Sequence, residues 1–141
     1  MTREAKCCCG ACAIQVKGDP TINALCHCRD CQRRTGSAFG WSAYFPNHAV
    51  TATIGAFRTY SPPGKAPLPP GKELGSGETW QERVFCGKCG TTLSWRSSDF
   101  EGLTGIAGGC FTAPLPEPTM TVGNETRHAW LTLPETWKTE W

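Results

Sequence analysis

Cys86–Leu93 reads CGKCGTTL, and this stretch decides the fold. A C-x-x-C pair followed by glycine is the turn of zinc ribbons, in which the glycine lets backbone amides approach both sulfurs. Such a turn supplies two thiolates of a tetrahedron and needs two more from a distant segment. Cys7-Cys8-Cys9-Gly10 is the natural donor, because C-x-C-G also places two sulfurs near one metal beside a turn glycine. Cys7, Cys9, Cys86 and Cys89 would then tie the first ten residues of the chain to its second half.

The composition agrees with a small core held by such ties. The chain has 141 residues and a mass of 15.3 kDa, which predicts one domain over residues 1–141. Its apolar fraction is 39%, below the usual globular range of about 45–50%, and ten of those apolar residues are cysteines. Sixteen glycines and eleven prolines make it turn-rich, while six tryptophans argue for ordered packing. The start, MTREAKCCCG, has no apolar leader, and no window approaches the roughly 18 apolar residues of a membrane span. A cytoplasmic chain without membrane contact is expected. In a reducing cytosol ten cysteines are better read as metal ligands than as five disulfides. The net charge of +2 is far from the basic balance of a dedicated nucleic-acid binder.

Short apolar runs separated by turn residues predict an all-β fold with little helix. The expected strands are AIQVKG, FGWSAYF, VTATI, AFRTYS, TWQERVF, TTLSWR, GLTGIAG and HAWLTL. Trp41, Trp80, Trp95 and Trp130 fall in them and read as core, while Trp137 and Trp141 read as a frayed tail. Gly55 suits a tight reversal between VTATI and AFRTYS. The helix signal is confined to RDCQRRTG, one or two turns ending at Gly36, which would raise Cys31 one turn over Cys28. Ser61 to Glu78, with five prolines and four glycines, reads as an exposed loop.

Cys26-His27-Cys28-Arg29-Asp30-Cys31 adds three thiols within six positions, too few for a closed zinc site. Taken together, C-x-C-G near the start, a central C-H-C-x-x-C followed by basic residues and Gly36, and a later C-x-x-C-G-T-x-L resemble the glutathione-dependent formaldehyde-activating enzyme family, which also includes the centromere protein V domain. Order and spacing match from about Ala5 to about Leu131. The resemblance implies a β-tent of two or three folded antiparallel sheets with zinc-ribbon-like turns and two zinc ions. It assigns the structural zinc to Cys7, Cys9, Cys86 and Cys89 and the second to Cys26, Cys28 and Cys31. Cys8 fills a position that is usually not cysteine, and Cys12 adds another thiol nearby.

Three protein ligands and an open fourth position mark a catalytic zinc. Three thiolates overcompensate the metal charge, so binding and deprotonating a thiol suits this site better than activating water. The function implied is a carbon–sulfur lyase, or adduct-forming enzyme, that joins or splits glutathione, or a similar thiol, and a small aldehyde such as formaldehyde, a role in aldehyde detoxification. The uncatalysed hemithioacetal reaction leaves room for a carrier role. Glutathione carries two carboxylates, and Arg29, Arg33 and Arg34 lie close to the ligand run; Arg33 is the preferred partner, sharing a motif position with the family's basic residue. Ser37 and Thr35 could donate to the adduct oxygen, although turn capping also explains them. His27, between two ligands, is expected to turn its ring away from the metal, and His48 and His128 read as structural. Cys110 reads as a small buried hydrophobe. The rival is a zinc-stabilised binding module for nucleic acid or protein, against which the modest charge and the lack of an aromatic-basic array both count. Assembly into a homo-oligomer is compatible with either.

Overall fold

The computed structural model describes residues 1–64 and 79–140, so most of the expected Ser61–Glu78 loop, and Trp141, lie outside the described residues. Among the described residues eleven strands and one α-helix follow in chain order. They are β1 (Thr2–Lys6), β2 (Ala13–Lys17), β3 (Ile22–Cys26), α1 (Arg29–Thr35), β4 (Gly40–Pro46), β5 (Val50–Ile54), β6 (Phe57–Tyr60), β7 (Gln81–Cys86), β8 (Thr92–Ser97), β9 (Leu103–Ala107), β10 (Met120–Val122) and β11 (Lys138–Thr139). A three-stranded antiparallel sheet has the order β1-β2-β5. An eight-stranded mixed sheet has the order β11-β10-β3-β4-β9-β8-β7-β6, with β10 parallel to both β3 and β11. Among the described residues no helix is long and apolar enough to cross a membrane.

Strand periodicity separates a core face from a cavity face. In β4, Ala43 and Phe45 are buried in the core and Trp41 packs against it, while Ser42 and Tyr44 point to the opposite side and line a cavity. β8 would break this alternation without a bulge. The pairing steps from Val84↔Ser94 to Phe85↔Thr92, leaving Leu93 as an extra residue. Leu93 therefore reaches the core at 0% exposure, while Trp95 and Ser97 line the cavity.

The core is small and partly made of sulfur. Cys7, Cys12 and Cys86 belong to it with Ala5, Ile14, Val16, Phe45 and Ile106. Gly105 in β9 faces Trp95 across the ladder, and a Cβ there would run into the indole Nε1 and lie 2.6 Å from Cε2. Gly105→Ala is expected to cost about 1–3 kcal/mol through this overpacking, read as a lower urea midpoint at an unchanged slope.

Two expectations fail at the C-terminus. HAWLTL is not a strand: Trp130 is 71% exposed and stacks on His128 at 5.2 Å instead of entering the core. Its alternation has no partner edge, the Leu131 amide turns back to the His128 carbonyl, and Pro134 follows. Nor is Trp137 frayed, since its Nε1 donates to Glu117 Oε2 at 3.0 Å and β11 adds to the sheet directly after it. The strands β1, β3, β10 and β11 were not expected. β1 is a polar edge strand of which Ala5 alone is buried, so it carries almost no apolar pattern.

Candidate functional site

The first cysteine set is built by two similar turns. In one, the Cys86 amide donates to the Thr91 carbonyl and Gly90, at φ 81°, donates to the Cys86 carbonyl. In the other, the Cys7 amide donates to the Cys12 carbonyl and Gly10, at φ 80°, donates to the Cys7 carbonyl. Both turns aim amides at sulfur: Lys88 and Cys89 N–H at Cys86 Sγ at 3.3 and 3.4 Å, and Cys12 N–H at Cys7 Sγ at 3.2 Å. The sulfurs of Cys7, Cys9, Cys86 and Cys89 all lie within 4.8 Å of one another. Cys7–Cys9 and Cys9–Cys86 are separated by 3.6 and 3.8 Å. A zinc–sulfur bond of about 2.3 Å gives a tetrahedral edge of about 3.8 Å, so the donor set fits such an ion. Hydrogen bonds from the Thr91 hydroxyl and amide hold the Cys89 thiol down at about 5, and the Cys89 and Lys88 amides lower that of Cys86. Both groups are thereby favoured as thiolates, the form a metal requires.

The extra thiols stand apart from this set. Cys8 is exposed, its amide donating to Thr91 Oγ1. Cys12 is buried, its thiol donating to the Ala56 carbonyl at 3.4 Å, and burial pushes it up to about 11. Cys110 is half-buried and packs against the core.

The second set lies at the junction of β3 and α1. Cys26 ends β3, Cys28 caps α1 by accepting the Cys31 amide at 3.3 Å, and Cys31 sits one turn on. Gly36 closes the helix in the left-handed region, at φ 67°. The three sulfurs lie within 4.8 Å of one another. Hydrogen bonds from the Cys26 and Cys31 thiols hold Cys28 as a thiolate, down at about 2, while the same sharing drives Cys26 far up. Crowding of the three sulfurs therefore opposes ionisation of Cys26 and Cys31 beside Cys28, and an added cation would favour it.

A cavity of about 280 Å³ opens in front of these cysteines. Cys26, Cys28 and Cys31 form one wall, and Arg34, Tyr44 and Trp95 contribute to the rest. Arg34 stacks on the Trp95 ring with its guanidinium carbon 4.0 Å from the centroid. Its Nη2 is buried without a hydrogen-bond partner among the described residues. Gly40 makes the room, since a Cβ there would meet Nη2 and lie 3.4 Å from Cys31 Cβ. Arg83 lines the same cavity, and among the described residues neither arginine has a carboxylate within ion-pair distance.

The expected substrate contacts do not converge here. Arg33 is exposed and Arg29 donates to Gln32 Oε1 at 3.2 Å; neither lines the cavity. Ser37 is exposed too, its amide donating to Thr35 Oγ1, which in turn donates to the Cys31 carbonyl: the pair caps the helix end. Helix phase carries the missed signal, because Arg34 stands three residues from Cys31 and shares its face of α1. His27 is fully buried, its ring 6.0 Å from Phe39 and outside the sulfur cluster, and burial lowers its basicity.

The chain resembles a Rhodobacter sphaeroides protein solved by crystallography as a structural-genomics target, with a TM-score of 0.56 and 19% identity, covering 80% of this chain and 91% of that one. That likeness speaks for the fold alone. No curated protein matches the chain. The sequence profile of the glutathione-dependent formaldehyde-activating enzyme family, however, matches residues 2–130. A match over nearly the whole length, both cysteine sets included, means that the chain belongs to the glutathione-dependent formaldehyde-activating enzyme family.

Proposed function

We propose that residues 1–141 act as one zinc-binding domain that makes or splits the carbon–sulfur bond between glutathione, or a similar small thiol, and a small aldehyde such as formaldehyde. The observation that carries this is an incomplete donor set facing a cavity: three convergent sulfurs on the wall of about 280 Å³ of ligand space. Cys7, Cys9, Cys86 and Cys89 would hold one ion closed on all sides, and Cys26, Cys28 and Cys31 would hold the second. Bound there, the second zinc would supply a soft coordination position of weak Lewis acidity that lowers the pKa of an incoming thiol.

The chain's own residues bind and orient. The α1 N-terminal turn fixes Cys28 and Cys31, Trp95 and Tyr44 give the cavity apolar surface beside the reacting sulfur, and Arg34, which lines the same cavity, offers its guanidinium to an anionic group of the thiol. The exposure of Arg33 moves the carboxylate contact proposed for it to Arg34. Arg34→Gln is expected to weaken glutathione binding about tenfold or more, the cost of one charged contact of roughly 1.5–3 kcal/mol, while Arg33→Ala leaves affinity within about twofold. Isothermal titration on both variants checks this, and equal effects would return Arg34 to a packing role.

The proposed function itself is tested by counting metal and replacing it. Purified under reducing, zinc-replete conditions, the protein should carry two zinc ions per chain. After cobalt exchange, glutathione should change the visible spectrum of one of the two sites, and formaldehyde should alter that spectrum further. One zinc or none, or a spectrum indifferent to glutathione, would overturn the reading.

A further inference from the structure

Tyr44 has an unspent hydrogen bond in the thiol cavity. The phenol projects from β4 on the cavity face, between Ser42 and the end of the strand. Its oxygen accepts the Trp95 Nε1–H at 3.0 Å. Indole nitrogen only donates, so this bond uses a lone pair of the phenol oxygen and leaves its proton uncommitted. The hydroxyl makes no other hydrogen bond among the described residues.

The phenol is also held rigidly. Its ring packs on Phe100 with centroids 4.6 Å apart and meets Trp95 edge-on at 82°. Trp95 is itself fixed, with Gly105 beneath the indole and the Arg34 guanidinium stacked on it. Burial is the main influence on the hydroxyl, raising it to about 12 against the opposing pull of the Trp95 hydrogen bond. Tyr44 therefore keeps its proton at neutral pH in the cavity where the cysteine centre sits. A fixed donor that faces the cavity with no protein acceptor among the described residues is placed to meet charge that develops during a reaction.

We propose that Tyr44 is a catalytic residue whose hydroxyl donates to the oxygen of the aldehyde as the thiol adds to its carbon. This rests on the function proposed above. In the addition, the thiol loses its proton to solvent on binding, its sulfur pair forms the new S–C bond, and the C=O π pair moves onto oxygen. Tyr44 hydrogen-bonds that oxygen and passes it a proton that solvent restores, giving RS–CH₂–OH from RSH and H₂CO with every atom accounted for. In the reverse direction the phenol releases its own proton to solvent, its oxygen, still held by Trp95, takes the hydroxyl proton of the adduct as the S–C bond breaks, and solvent protonates the departing thiolate.

The zinc-loaded protein is titrated with glutathione alone and with glutathione plus ¹³C-formaldehyde, and the carbon resonance of the hemithioacetal reports free and bound adduct. Tyr44→Phe is expected to leave glutathione affinity within about twofold, lower adduct affinity about tenfold, and slow exchange of the labelled carbon roughly ten- to a hundredfold. The chain contains two tyrosines, so 3-fluorotyrosine in a Tyr60→Phe background gives a single fluorine reporter on Tyr44, useful even if Tyr44→Phe folds poorly. Its ¹⁹F resonance should move on adduct formation beyond the shift caused by glutathione alone. Equal losses for thiol and adduct, no loss for either, or a fluorine signal blind to the adduct would overturn the assignment while leaving the thiol site intact. A wild-type protein that binds neither ligand would sink this proposal together with the function it rests on.

Discussion

Cys89→Ser is expected to be largely unfolded or insoluble. Cys7 and Cys9 follow β1 of the small sheet, whereas Cys86 ends β7 of the large one and Cys89 lies between β7 and β8, so the sulfur set joins the two sheets. Cys7 and Cys86 are also core residues, and the apolar cluster around them is small. A structural zinc can contribute on the order of 10 kcal/mol to folding, comparable with the whole stability of a small domain at about 5–15 kcal/mol. Losing one of four ligands removes much of that, with no spare apolar surface to compensate. Circular dichroism should show no cooperative melting transition. Cys8→Ser, at an exposed thiol outside the set, is the control and should melt like the parent. A Cys89→Ser protein that folds normally with one zinc would exchange the structural and catalytic roles assigned to the two sets.

Cys28→Ser should fail differently. Its three cysteines span six consecutive positions, so their loss severs no tie between distant segments. The β3–β4 and β10–β3 ladders that flank the site remain, and the serine hydroxyl can still cap α1, because an N-terminal serine accepts an amide as the thiol does now. The variant should keep its dichroism spectrum and a cooperative transition at a lower temperature. It should carry one zinc and show no measurable glutathione binding, a loss of at least about a hundredfold. Normal binding would show that the cysteine centre is not where the thiol is held.

Much of this was legible in spacing. The two turns with glycines at positions 10 and 90 follow from C-x-C-G and C-x-x-C-G, because the chain must reverse around sulfur in both. The helix α1 was legible from RDCQRRTG, with its left-handed Gly36. What spacing could not convey was direction. Arg33 and Arg34 are adjacent in sequence, yet α1 turns one into solvent and the other over Trp95; only the helical phase set by Cys31 separates them. Tyr44 was hidden for a related reason: FGWSAYF identifies a strand, but which of its faces meets the cysteines depends on its pairing with β3, and β3 was itself missed. Trp130 shows the opposite error, where an apolar residue was taken as buried although no neighbouring strand was there to receive it.

The wide separation of the first cysteine set also orders events during synthesis. Cys9 and Cys86 are 77 residues apart, which at about 5–20 residues per second means that the amino-terminal thiols wait several seconds for their partners to be made. Cys26, Cys28 and Cys31 emerge almost together. If both sets hold metal as proposed, a nascent chain can assemble the open centre while half of the closed one has not yet been translated, and the sheet-joining ion would be the last to be captured. Zinc scarcity in the growing cell would then act on the yield of folded protein before it acts on the occupancy of the cavity.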